Sequence, residues 1–169
     1  MIVVVMGVSG SGKTSVGRAL SERLGWAFIE GDELHTEANR RKMASGTPLD
    51  DADRWPWLAR IAEAAGRAEA AGNSVVIACS ALKRAYRDRL REAGDDVRFI
   101  HLTGDPEIIR ARLSARVDHY MPAGLLQSQI AALEQPDPDE MAVAFDIRED
   151  AAAIAARAAA ALEADGAGR

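Results

Sequence analysis

Residues 7–14 of this 169-residue chain read GVSGSGKT, and no other stretch constrains the fold as much. The octapeptide matches G-x-x-x-x-G-K-[ST] at each defined position. An apolar run, Ile2–Met6, precedes it, and a helical pattern with Val16, Leu20 and Leu24 four apart follows. A strand that passes through such a loop into a helix is built to face an anion. Gly7, Gly10 and Gly12 allow left-handed backbone and bring N–H groups close to phosphate. The helix N-terminus adds partial positive charge at the same point. Lys13 is placed to reach the β and γ phosphates of a nucleoside triphosphate, and the Thr14 hydroxyl to meet Mg²⁺. The predicted phosphate-binding set is Gly7, Ser9, Gly10, Ser11, Gly12, Lys13, Thr14 and Ser15.

Four more short apolar runs follow, at Trp26–Ile29, Ser74–Cys79, Val97–Leu102 and Ala142–Ile147. Helical patterns fall between them, at about 34–44, 53–71, 84–93, 105–116, 122–134 and 149–164. Strand–helix alternation of this kind predicts an α/β fold, one domain over 1–169, with a parallel sheet covered on both faces. The Ala-rich end, with Ile154, Ala158 and Leu162 as a stripe, reads as a packing helix. Lys and Arg number 21 against 26 Asp and Glu, a balance of −5. That balance argues against a nucleic-acid coat or an acidic-membrane binder. Cys79 is the one cysteine, so no disulfide framework exists and a reducing cytoplasm is the expected home. No apolar run approaches the roughly 18 residues of a membrane span, and the N-terminus lacks the basic stretch of a signal peptide. A GTPase would carry N-K-x-D, which is absent, and a motor or transporter ATPase would need a longer chain. By fold analogy, a kinase of a small metabolite remains.

FIEGDELH, residues 28–35, sets Glu30 and Asp32 at the carboxyl end of the second predicted strand. That end faces the ligand crevice in open α/β sheets. Period-two alternation would put both carboxylates on one side if the strand reaches that far. One could hold a Mg²⁺ water while the other, Asp32 by preference, accepts the proton of an attacking hydroxyl. The alternative is a polar turn and helix cap. His35 could meet substrate hydroxyls or simply start a helix. The third run ends without the Asp of a Walker B element, so Mg²⁺ would rely on Thr14, phosphate oxygens, water and Glu30 or Asp32.

Cations gather at Arg40–Lys42, at Lys83–Arg91 and at Arg110–Arg116. Lys83 and Arg87 are four apart on a predicted helix that starts at the sheet's carboxyl edge, so both could face the crevice. Arg84 lies off that face, and Arg89 and Arg91 read as solvated. Arg112 and Arg116, also four apart, precede VDHYMPAG with His119, Tyr120 and Pro122. This stretch suggests a short lid at about 117–123 over the phosphates. Trp55 and Trp57 read as core anchors beside Arg54, the better pocket candidate. His101 reads as structural.

GVSGSGKT, GDELH, NRRKMASGTPLDDADRWPWL, CSALKRAYRDRLR and RLSARVDHYMPAGLLQSQIAALEQP together resemble the small P-loop gluconokinases, over about residues 3–147. The resemblance implies a fold like those of shikimate and adenylate kinases, with a five-stranded parallel sheet in the order 2-3-1-4-5. It also implies transfer of the ATP γ-phosphate to the 6-hydroxyl of D-gluconate. A cytoplasmic enzyme, with a homodimer as a possibility, is the further implication. By the same resemblance Asp32 orients the acceptor and His35, Arg54, Lys83, Arg87 and His119 bind gluconate. Arg112 and Arg116 would meet adenine and phosphates. Two rival readings stay open: a kinase of shikimate or another polyhydroxy acid, and a nucleotide-dependent regulatory binder without turnover.

Overall fold

The computed structural model describes residues 1–115 and 123–166. The predicted lid at about 117–123 therefore falls outside the described residues but for Ala123, as do Arg116, His119 and Tyr120. Five strands form one parallel sheet: β1 (Ile2–Met6), β2 (Ala27–Glu30), β3 (Val75–Ala78), β4 (Val97–Thr103) and β5 (Ala142–Asp146). Their spatial order is β2-β3-β1-β4-β5, as the resemblance implies. β1 sits at the centre, with Val4 opposite Ile77 on one side and Phe99 on the other. Its five residues are all buried, which is why the strand reads as an unbroken apolar run instead of an alternating one.

The described residues form seven α-helices: α1 (Lys13–Leu24), α2 (Glu37–Ala44), α3 (Asp51–Ala70), α4 (Arg84–Arg91), α5 (Pro106–Ser114), α6 (Ala123–Ala132) and α7 (Ala151–Gly166). Val3 and Val5 join Leu20, Ile109, Leu113 and Ile154 in one core layer. Ile2, Val4 and Met6 join Trp57, Ile61, Tyr86 and Leu90 in the other. The Ala-rich C-terminus is the packing helix that its Ile154–Ala158–Leu162 stripe predicts, since all three are buried. No described helix is long and apolar enough to cross a membrane.

The second core layer contains a charge that the spacing argument misplaces. Arg87 is fully buried and does not face the crevice. Its Nε and Nη2 donate to the two carboxylate oxygens of Glu140, itself fully buried, at 2.6 and 2.9 Å. Nη1 donates to the carbonyls of Ala81, Leu82 and Glu134 at 3.2, 3.2 and 3.0 Å. The guanidinium has no face left for a substrate, and we correct its expected binding role on that ground. It ties together the loop after β3, including Ala81 with its φ of +43°, and the segment that leads into β5. Arg91 is a second correction: it donates to the Glu140 carbonyl at 2.5 Å and lies over the Phe99 ring at 5.1 Å. Arg84 pairs with Asp137 and Asp139 on the outside of the same segment, at 3.0 and 2.5 Å.

Glu140→Leu is expected to cost about 3–5 kcal/mol in urea unfolding, because it strands a buried guanidinium. The Arg87→Leu/Glu140→Leu double variant should be clearly more stable than that single variant. Similar losses in both would show that packing, not charge pairing, holds this joint.

Candidate active site

The loop after β1 is shaped by close approach. A Cβ at Gly7, where φ is +144°, would stand 2.9 Å from the Leu102 carbonyl and 2.8 Å from Ser11 Oγ. Only glycine lets the chain leave β1 and turn under β4 here. Gly12 caps α1 in a left-handed conformation and, having no side chain, supplies no cap bond itself. The helix start therefore offers its N–H groups and the positive end of its dipole at the loop. Ser11 Oγ is buried without a hydrogen-bond partner among the described residues. A cradle of outward N–H groups with an orphaned buried hydroxyl has the chemistry of a phosphate site. Lys13 Nζ lies across the loop and donates to the Val8 carbonyl at 3.1 Å. Gly10, Ser11, Gly12 and Ser15 line a cleft of about 290 Å³ whose far wall is Arg112 from α5 and Glu149 to Ala151 at the start of α7. Arg112 is held there by its bond to the Ile147 carbonyl, 2.5 Å. Ser9 differs from its neighbours: its N–H donates to Gln129 Oε1 at 2.7 Å.

β2 stops at Glu30, and residues Gly31–Leu34 form a 3₁₀ turn, so Asp32 is not on the strand as period-two alternation would have it. The turn has a tertiary cause. Gly31 packs so tightly on the end of β3 that a Cβ would lie 2.4 Å from the Ala78 carbonyl. Its own carbonyl accepts from Trp57 Nε1 at 2.7 Å. His35 then stacks on Trp57, centroids 4.2 Å apart and planes 13° from parallel. Asn39 Nδ2 stands 3.4 Å from His35 Nδ1 and donates to the Asp53 carbonyl at 2.9 Å. An amide donor at Nδ1 makes Nε2 the protonated nitrogen. Nε2 faces Asp32 Oδ1 at 3.9 Å. Asp32 is otherwise open, with 71% of its side chain exposed. His35 is only 5% exposed, so it braces the carboxylate turn and offers little surface to a ligand.

A second cleft, about 520 Å³, opens between the start of α3, the start of α4 and α6. Arg54, Lys83, Asp51, Tyr86 and Ser128 line it. Lys83 Nζ donates to both Asp51 oxygens, at 2.7 and 3.1 Å, and the Tyr86 hydroxyl donates to Asp51 as well. These bonds from Lys83 and then Tyr86 hold the Asp51 carboxyl below the usual range. Arg54 Nε donates to the Leu49 carbonyl at 3.3 Å, and the guanidinium stands over the Tyr86 ring at 5.8 Å. Trp57 is a core anchor, but Trp55 is 40% exposed and meets Tyr86 edge-on, so it belongs to the rim of this cleft and not to the core. Sequence reasoning missed Asp51, Tyr86, Ser128 and Gln129. Tyr86 stands three residues after Lys83 and could have been found by helical spacing. Asp51 was hidden among the acidic residues of a helix start, and α6 carried no signal.

Cys79 directly follows β3 and is buried. Burial pushes its thiol up to about 12; the backbone hydrogen bond with Ala81 opposes this, the charge of Asp32 raises it further, and Lys13 and Arg54 oppose. Thr14 lies in the first turn of α1, Glu30 ends β2 and Asp32 lies in the turn that follows. Among the described residues no cluster of three His, Cys, Asp or Glu side chains could hold a metal unaided. His101 is buried, its Nε2 has no hydrogen-bond partner among the described residues, and its pKa is lowered to about 4 by burial and then by Arg87.

A parallel sheet with a glycine loop passing into α1 and two clefts at its carboxyl edge defines a P-loop nucleotide-binding phosphotransferase. Residues 2–136 match the family described as AAA domain. The chain is 51% identical over 140 residues to the gluconokinase of Gluconobacter oxydans, covering 82% of this chain and 78% of that one. A sugar kinase from Janibacter sp. shares its structure at a TM-score of 0.91 and 48% identity, over 96% and 94% of the two chains. The crystal structure of a gluconokinase from Sinorhizobium meliloti matches at 0.82 and 46%, over 96% and 95%. The chain belongs to the gluconokinase family.

His35 and His101 both carry pKa values lowered from 6.5 to about 4. For His35 burial is the largest cause and outweighs the opposing charge of Asp32. Between those values the unfolded chain binds more protons than the folded one, so stability falls as pH drops through this window. We expect denaturant unfolding at pH 5 to show roughly 2 kcal/mol less stability per histidine than at pH 7. His35→Phe, which keeps the stack on Trp57, should remove one share of that loss. An unchanged pH slope in that variant would count against a neutral buried His35.

Proposed function

We propose that the protein transfers the γ-phosphoryl group of ATP to the 6-hydroxyl of D-gluconate, giving 6-phospho-D-gluconate and ADP. The observation that carries this reading is the convergence of two unlike clefts on one sheet edge. One has the chemistry of a phosphate cradle; the other pairs cations with hydrogen-bonding groups, and Asp32 stands exposed just past the end of β2. The acceptor named for the similar proteins is a polyhydroxy acid. Arg54 and Lys83 supply the positive charge its carboxylate needs. Asp51, Tyr86 and Ser128 offer acceptors and donors for a row of hydroxyls. Shikimate, a cyclic acid with fewer hydroxyls, would leave several of those groups unpaired, which is costly in a closed site.

The chemistry asks little covalent work of the protein. The 6-hydroxyl oxygen attacks the γ phosphorus, the bond to the β–γ bridging oxygen breaks, and the hydroxyl proton passes to Asp32. Because the transition state is loose, Asp32 mainly orients the alcohol, and Lys13 and the loop N–H groups hold the spreading charge. Mg²⁺, when bound by Thr14 and the phosphates with Glu30 or Asp32 through water, neutralises charge on the β and γ oxygens. Arg112 steadies the nucleotide from the opposite wall. The presence of Lys13, Thr14 and Asp32 together in one chain favours turnover over a binder without activity. A lone thiol buried at the site suits a reducing cytoplasm, and a homodimer remains part of the proposal.

ADP release with ATP and a panel of sugar acids plus shikimate tests the reading. D-gluconate should give the highest kcat/KM, and no more ADP with it than with buffer would end the specificity claim. Lys13→Ala should abolish most transfer in a folded protein. Asp32→Asn should lower kcat about 10²–10⁴-fold while the dissociation constant for ATP shifts only a few-fold. Equal losses in both would make Asp32 a metal or structural ligand instead. Lys83→Ala and Arg54→Ala should act mainly on KM for the acid.

A further inference from the structure

We infer that Gln129 is a positioning residue that couples the acceptor cleft to the phosphate loop; this rests on reading the two clefts as acceptor and nucleotide sites. Ser9 lies mid-loop, between Gly7 and Gly10. The internal bond of this stretch is Ser11 N–H to the Val8 carbonyl at 3.2 Å, and it does not involve the Ser9 amide. That amide donates instead to Gln129 Oε1 at 2.7 Å, across 120 residues of chain. The shape of the loop at Ser9 therefore depends on where α6 stands.

The same helix forms a wall of the second cleft. Ser128, adjacent to Gln129, and Ala132 line it. Leu125 and Leu126 are buried and seat the helix on the core. One short rigid element thus touches both sites, with neighbouring side chains facing each. An acid that packs against Ser128 and Ala132 favours one placement of α6, and Gln129 passes that placement to the loop that holds the phosphates. Linkage makes the effect mutual: if the acid tightens the nucleotide by some factor, the nucleotide tightens the acid by the same factor. One hydrogen bond of this kind supports a factor of about three to ten. Functionally, the tether makes the reactive loop geometry most populated when an acceptor is present, which limits transfer to water.

The test is calorimetric titration of a non-hydrolysable ATP analogue with Mg²⁺, with and without saturating D-gluconate. Wild-type protein should bind the analogue about three- to tenfold more tightly when the acid is present. Gln129→Met keeps volume and helix propensity but removes the acceptor atom. It should bring that ratio to within twofold of unity while each ligand alone binds within about threefold of wild type. Gln129→Glu restores an acceptor at the same place. Its added charge should weaken the nucleotide in both titrations yet restore the ratio, a rescue that a merely structural role would not produce. A wild-type ratio of one, a Gln129→Met ratio like wild type, or no rescue by Gln129→Glu would each overturn the coupling. The acid in the titration is whichever one the turnover panel identifies. A wrong acceptor assignment, seen as no turnover of D-gluconate, is thereby kept apart from a failure of the tether.

Discussion

The bend at the end of β1 is the constraint on which the molecule turns. A strand buried on both faces must pass its chain to α1 within a few residues, beneath the Leu102 carbonyl and against Ser11. Only a residue without a Cβ makes that passage at Gly7. Its consequence is chemical as well as steric. The bend brings the start of α1, capped by a glycine with no side chain to offer, and the positive end of its dipole to the carboxyl edge of the sheet. The right-handed crossovers of a parallel sheet bring the ends of β2 and β3 to the same edge. That topology brings the turn carrying Asp32 and the loop carrying Lys83 to the edge where the phosphate loop lies, before any contact between them is considered.

Around that edge two kinds of support differ in their physics. The carboxylate turn is braced by neutral groups: the Trp57 indole on the Gly31 carbonyl and the stacked imidazole of His35. Desolvation keeps that imidazole uncharged near neutrality, so it steadies Asp32 without competing with a cationic ligand for it. The wall of the second cleft is braced by a full charge, Arg87, whose donors are spent on Glu140 and three carbonyls. That arrangement holds Lys83, four residues earlier, in place from behind. A buried pair adds little net stability, but it punishes any arrangement that separates its members. It therefore defines one geometry for the loop that carries Lys83.

Much of this was legible in the sequence. β1, β3 and β4 announced themselves because parallel strands covered on both faces are short, mostly apolar runs; β2 and β5 lie at the sheet edges and are partly exposed, yet all five boundaries fall within one or two residues of the observed ones. The loop was legible because its glycines and Lys13 are dictated by local geometry. Residues whose roles are set by distant partners were not. Lys83 and Arg87 share a helical spacing, yet one lines a cleft and the other is fully buried, because Glu140 lies 53 residues further on. Trp55 and Trp57 look equivalent in the chain, but only Trp57 finds a carbonyl and an imidazole to meet. Asp32 lies past the strand end because Gly31 fits the end of β3, which no periodicity records. Gln129 gave no local sign, since its partner is an amide 120 residues away.

The thiol of Cys79 has a practical use that its surroundings create. It has no exposed surface, directly follows β3, and is kept protonated far above neutrality. Reagents that trap thiolates can reach it only when the central strands part. The rate of its labelling therefore counts openings of the sheet at the very edge where the ligands assemble, and it does so in the unmodified chain. A probe dye would have to be grafted on to give the same information; here the molecule carries its own clock.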